Sequence, residues 1–115
     1  MKKTSTGQVV PNFDTQIDNV LTQIWQKNLP TLHERLNLLD QYGVAAASGI
    51  LDEPTRLEAL GIAHKLAGSL GMYGYQQGTE LAAKMERILK SPTPETLLTL
   101  QSLAADLRAS LAAGL

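Results

Sequence analysis

The stretch Thr55-Arg56-Leu57-Glu58-Ala59-Leu60-Gly61-Ile62-Ala63-His64-Lys65-Leu66-Ala67-Gly68-Ser69-Leu70-Gly71-Met72-Tyr73-Gly74 has the apolar spacing of an amphipathic helix. On a wheel of about 100° per residue with His64 at zero, Ile62, Leu66 and Tyr73 fall within roughly 20° of the opposite side. Ala59, Ser69 and Leu70 flank them, and together they form a stripe fit to face a core. Just upstream, Asp52-Glu53-Pro54 supplies an N-cap, an acidic first turn and a proline where a helix start tolerates one. A helix is therefore expected from about Glu53 to about Tyr73, with His64 pointing away from the core.

The face around His64 breaks the rules of a solubilising surface. It carries Leu57, Leu60, Gly61, Gly68 and Gly71. Glycine inside a helix costs on the order of 0.5–1 kcal/mol relative to alanine, and a surface kept only for solubility carries Glu, Lys or Gln at such places. Glycines one turn before and after the histidine clear space around its ring, for a tetrahedral group or for a partner. The leucines offer that partner an apolar landing surface. Lys65 lies about 100° around the helix, with a stem long enough to bend toward an anion at the ring.

Outward from this helix the chain keeps reading as helical. Residues 1–10 are polar with little periodicity and read as a flexible tail, followed by a helical domain over residues 11–115. Phe13, Ile17, Val20, Leu21, Ile24 and Trp25 are spaced three or four apart until Leu29-Pro30 breaks the pattern. A second helix carries Leu32, Leu36 and Leu39 and ends at Ser48-Gly49. After Gly71, Gly74 and Gly78, a fourth spans about Gln76 to Lys90, with Leu81, Met85 and Ile88 on one face and Ala82 and Leu89 beside it. Ser91-Pro92-Thr93-Pro94-Glu95 is a linker with Thr93 as N-cap, and the last helix uses Leu97, Leu100, Leu103, Leu107 and Leu111. The expected fold is all-α. It is an up-down-up-down antiparallel four-helix bundle, with a short extra N-terminal helix capping one end.

Composition narrows the function classes. A chain of 115 residues supports one domain. It has no cysteine, which removes disulfides, thiolate metal sites and cysteine nucleophiles. Ten basic residues against eleven acidic ones lack the basic face a nucleic-acid footprint needs. No apolar run approaches the roughly 20 residues of a membrane span. The polar start, Met1-Lys2-Lys3-Thr4-Ser5, is not a secretory signal, so a cytoplasmic location is expected.

The run from His64 to Gly74 resembles the signature of histidine-containing phosphotransfer (HPt) domains. That pattern has a histidine, an apolar residue two later (Leu66), usually a lysine three later, a glycine four later (Gly68), a small residue (Ser69) and a further glycine about ten on (Gly74). Leu81, Ala82, Met85 and Glu86 resemble the family's next helix, and the likeness spans about residues 29–112. It implies a four-helix bundle whose histidine takes a phosphoryl group from the aspartyl-phosphate of a receiver domain and passes it to another receiver. His64 would be the phosphoacceptor, and Gly68 the glycine that leaves room for the phosphoryl group. Glu86 matches a position where members carry Glu or Gln hydrogen-bonded to the histidine ring. Such a carboxylate orients the ring and stabilises the cation that develops during attack.

The chain departs from the pattern at Ala67, where the family usually has lysine. The charge that steadies the phosphoryl group would then come from Lys65, from Lys84 or Arg87 on the fourth helix, or from the partner. The implied partners are response-regulator receiver domains, a hybrid sensor kinase, or both, met by a monomer. No cofactor or metal is expected in this chain, and magnesium is expected on the receiver. With no Gly-rich nucleotide loop, no ATP-dependent kinase activity is expected.

Three other readings compete. One is a non-catalytic interaction module that binds partners through the Leu57, Leu60 and glycine face. Another is a sensor-kinase dimerisation domain, for which His33-Glu34 is a superficial match without the proline that should follow. In that case His33 merely flanks Leu32, Leu36 and Leu39. A metal-binding bundle is disfavoured, because two histidines lack carboxylate partners at ligand spacing.

Overall fold

The computed structural model describes residues 9–115, with side-chain surroundings from residue 16 onward. The tail expected over residues 1–10 lies outside the described residues as far as Gln8, and so does the side chain of Phe13. Among the described residues the elements are all helical: α1 (Val9–Ala47), α2 (Glu53–Ser69), α3 (Gln76–Lys90), α4 (Pro94–Leu97) and α5 (Leu100–Ser110). Single 3₁₀ turns follow at Leu70–Tyr73 and Ala112–Gly114. None of the described helices is long and apolar enough to cross a membrane.

The N-terminal half departs from expectation. α1 runs through Pro30 as one helix of 39 residues, so the separate N-terminal helix and the break at Leu29-Pro30 are absent. A proline inside a helix deprives the carbonyl four residues back of its N–H partner. Here that carbonyl belongs to Gln26, and both Gln26 and Pro30 are exposed, where solvent can supply a donor in place of the missing one. Nor does this half cap the bundle. Trp25 is buried at the end of the bundle, but Ile17, Val20 and Ile24 are exposed. There the indole Nε1–H donates to the Gly114 carbonyl at 2.9 Å, and its ring lies 5.2 Å from Tyr73 and 4.8 Å from Tyr75.

From Trp25 on, four helices close around one core. α2 packs on α3, α3 on α5, α5 on α1, and α1 on α2. Leu36, Leu39, Leu66, Leu70, Met85, Leu89, Leu100, Leu107 and Leu111 are fully buried between them. On α3 the buried line runs through Gly78, Ala82, Met85 and Leu89. Leu81 and Ile88, expected in that line, are only half-buried. The last helix is split. Thr93 caps α4 through a reciprocal box with Thr96, the backbone N–H of each reaching the other's hydroxyl. The Thr99 hydroxyl then donates to the Thr96 carbonyl at 2.7 Å, and such local bonding competes with the helical ladder.

Polar clamps set the helix registers. Arg108 donates to Asn37 at 2.9 Å and to Asp40 at 2.7 Å, tying α5 to α1. Tyr42 donates to the Glu58 carboxylate at 2.6 Å, tying α1 to α2. Burial first, then that hydrogen bond and the charge of Glu58, push the Tyr42 hydroxyl up to about 12. A pKa raised in the folded state adds stability that is complete below the unfolded value of about 10. That stability is lost as pH rises toward the folded value. Tyr42→Phe is therefore expected to be less stable than the parent at pH 8, with the difference closing between about pH 10 and pH 12. Urea melts of both proteins across that range check it.

Candidate functional site

α2 begins where its sequence supplies a cap. The Asp52 carboxylate accepts from the Thr55 N–H at 2.9 Å, with Pro54 in the first turn. This bond, from both the side chain and the backbone of Thr55, holds the Asp52 carboxyl below the usual carboxylate range. Ala59, Ile62, Ala63 and Leu66 are buried along the inner face, and Leu70 continues the line. At the far end Gly74, at φ 92°, takes the left-handed conformation that lets the chain turn into α3. Arg56 fixes the opposite end. Its guanidinium grips Glu53 at 2.6 and 2.7 Å and also donates to the Leu89 carbonyl near the end of α3.

This frame brings His64 and Glu86 together. The His64 side chain is 74% exposed, and its Nδ1 lies 2.7 Å from Glu86 Oε2. Glu86 is 16% exposed, set beside the buried Met85 and Leu89. A carboxylate only accepts, so Nδ1 carries the hydrogen and, in a neutral ring, Nε2 keeps the lone pair. The pair thus selects a tautomer and turns a nucleophilic nitrogen outward.

The rest of the His64 surroundings divides by flank. Gly61 and Gly68 border open space, and a Cβ built on either meets nothing within 4 Å. Leu57 is 52% exposed, and Lys65 is exposed too. Leu60 and Gly71, expected on the same open face, stand on the side toward α3, although Gly71 itself is exposed. Leu60 is half-buried against the core, and a Cβ on Gly71 would stand 3.2 Å from the Thr79 hydroxyl of α3. On the wheel Leu60, Ala67 and Gly71 all fall on one side of His64, which is the side α3 occupies. The open surface is therefore the other flank: Leu57, Gly61, Lys65 and Gly68.

One neighbour escapes the sequence reading. Lys90, one turn beyond Glu86, places its Nζ 3.8 Å from the same Oε2 that faces His64. The spacing of Glu86 and Lys90, four residues apart with the acid first, is the available signal. Lys65, Lys84 and Arg87 form no ion pair among the described residues. His33 is half-buried on α1 between the buried Leu32 and Leu36. No cluster of three or more metal-ligating side chains occurs among the described residues.

Fold and site together define a helical bundle that displays one carboxylate-anchored histidine to solvent. The sequence model of the Hpt domain family matches residues 20–113, and the chain belongs to that family. No curated protein and no solved structure matches it. Hpt domains serve phosphotransfer in two-component signalling, where they meet receiver domains and kinases.

Proposed function

We propose that this chain is a phosphorelay intermediate, in which His64 takes a phosphoryl group from a receiver's aspartyl-phosphate and passes it to another receiver. The supporting observation is the 2.7 Å contact of Nδ1 with Glu86 on a ring that is 74% exposed. It leaves Nε2 as the nitrogen that can reach phosphorus. In the forward step the Nε2 lone pair forms the N–P bond while the P–O bond to the aspartate breaks. The electron pair leaves with the aspartate carboxylate, and the proton stays on Nδ1, donated to the Glu86 carboxylate, which offsets the positive charge developing on the ring. The reverse step delivers the group to the next aspartate. Positioning and charge balance carry most of such a reaction, and magnesium belongs to the receiver.

The proposed setting is a cytoplasmic monomer, an up-down-up-down bundle within residues 9–115. Its partners are receiver domains, a hybrid sensor kinase, or both, with neither nucleic acid nor membrane insertion involved. The docking surface is Leu57, Gly61 and Gly68, with Lys65 at its edge to meet the phosphoryl anion. The deciding experiment mixes the protein with a phosphorylated receiver domain. Label that is lost in acid and kept in base is expected on the bundle. A bundle that binds the receiver but takes no label would instead be an interaction module.

Gly68 gives a second, separable expectation. A Cβ there meets nothing within 4 Å, and glutamine is the better helix former by about 0.5–1 kcal/mol. Gly68→Gln should melt higher than the parent. Its side chain would stand between His64 and the incoming group, and transfer should slow by at least about tenfold. Unchanged transfer would remove the close-approach role assigned to this glycine.

A further inference from the structure

We infer that Lys90 is a positioning residue for this transfer, balancing the charge of Glu86 so that the carboxylate can hold the His64 ring without repelling the incoming phosphoryl group. The inference rests on the reading of His64 as phosphoacceptor. Its geometric basis is a three-member chain through one oxygen: Glu86 Oε2 lies 2.7 Å from His64 Nδ1 and 3.8 Å from Lys90 Nζ.

Charge makes the need for Lys90 concrete. A phosphoryl group arrives with about −1.5 to −2 charge. Glu86 alone would set a negative charge against it, one turned only partly to solvent and so incompletely screened. Lys90 brings the local sum of the two side chains to zero. Among the described residues no other cation is placed to do this through Glu86. Lys84 lies about 160° around α3 from Glu86, and Lys65 and Arg87 form no ion pair among the described residues. Lys90 is itself 64% exposed, so replacing it leaves the core untouched.

The bond changes are those of the transfer itself. Nε2–P forms, P–O of the aspartyl-phosphate breaks, and the proton on Nδ1 does not move. Lys90 enters neither bond and acts through the carboxylate. The test is single-turnover transfer from an aspartyl-phosphorylated receiver domain to the full chain, at low and at high salt. Lys90→Met should slow transfer about five- to tenfold at low salt, and added salt should narrow the gap. Lys90→Arg should restore the rate. With Glu86→Gln as the background, Lys90→Met should have a smaller further effect, since without the carboxylate nothing holds the Lys90 ammonium beside the ring. A normal rate for Lys90→Met, or an equal loss in the Glu86→Gln background, overturns the inference while the phosphoacceptor reading stands. Label on His64→Gln, or none on the parent chain, overturns both.

Discussion

His64→Gln should take up no label from a phosphorylated receiver, falling to the level of a reaction without acceptor, while folding as well as the parent. Both halves of this expectation follow from where the side chain sits. It is 74% exposed and its Nδ1 contacts Glu86 at 2.7 Å. The glutamine amide can still donate to that carboxylate, and a surface change of this kind shifts stability by no more than about 0.5 kcal/mol. What glutamine lacks is a ring nitrogen with a lone pair to form the N–P bond. A matched pair at Glu86 sharpens the test. Glu86→Gln keeps an oxygen that accepts the Nδ1–H and should lose only part of the rate. Glu86→Ala frees the ring to change tautomer and orientation and should lose more. Label on His64→Gln equal to the parent's would show that another group receives the phosphoryl, and would remove the basis for every role assigned around the ring.

The parts of the fold that could be read in the sequence were those governed by local chemistry. Asp52 and Thr93 announce helix starts through side-chain oxygens that the structure shows bonded to Thr55 and Thr96. The stripe of Ala59, Ile62, Leu66 and Leu70 is periodic, and it is buried. Pro30 misled because the rule against proline in helices assumes an orphaned carbonyl with no donor. At an exposed turn solvent can supply one, and α1 continues. Ile17, Val20 and Ile24 misled for the opposite reason. Periodicity shows which face of a helix is apolar, but not whether another element packs on it. The site shows the same division. The wheel turns His64 from the core by angle alone, whereas the flank taken by α3, which leaves Leu60 half-buried, is a tertiary fact. The Glu86 contact entered through family likeness. Lys90 passed unremarked because, within one helix, an acid and a base four residues apart are commonplace.

Gly43→Ala should destabilise the bundle by about 1–3 kcal/mol, the usual cost of forcing an extra carbon into a packed interface. A Cβ at residue 43 would lie 2.8 Å from the Gln101 Cα and 3.1 Å from its backbone nitrogen. Both atoms belong to the backbone of α5, so no rotamer change relieves the clash and the helices must part. The separation is resisted close by, where Arg108 grips Asn37 and Asp40 and where Leu36, Leu39, Leu100 and Leu107 interlock. Alanine's better helix propensity, about 1 kcal/mol, offsets only part of this cost. For a domain of this size each kcal/mol lowers the melting temperature by roughly 4–8 °C. Gly61→Ala is the control, since the same substitution there meets nothing and should raise the melting temperature through propensity alone. Well below its own melting temperature, Gly43→Ala should still transfer phosphoryl groups normally, because residue 43 contacts α5 and the site is built on α2 and α3. If Gly43→Ala melts with the parent, the close approach of α1 and α5 at this point is wrong. If it folds but fails to transfer, the site depends on α1 in a way that the His64, Glu86 and Lys90 contacts do not explain.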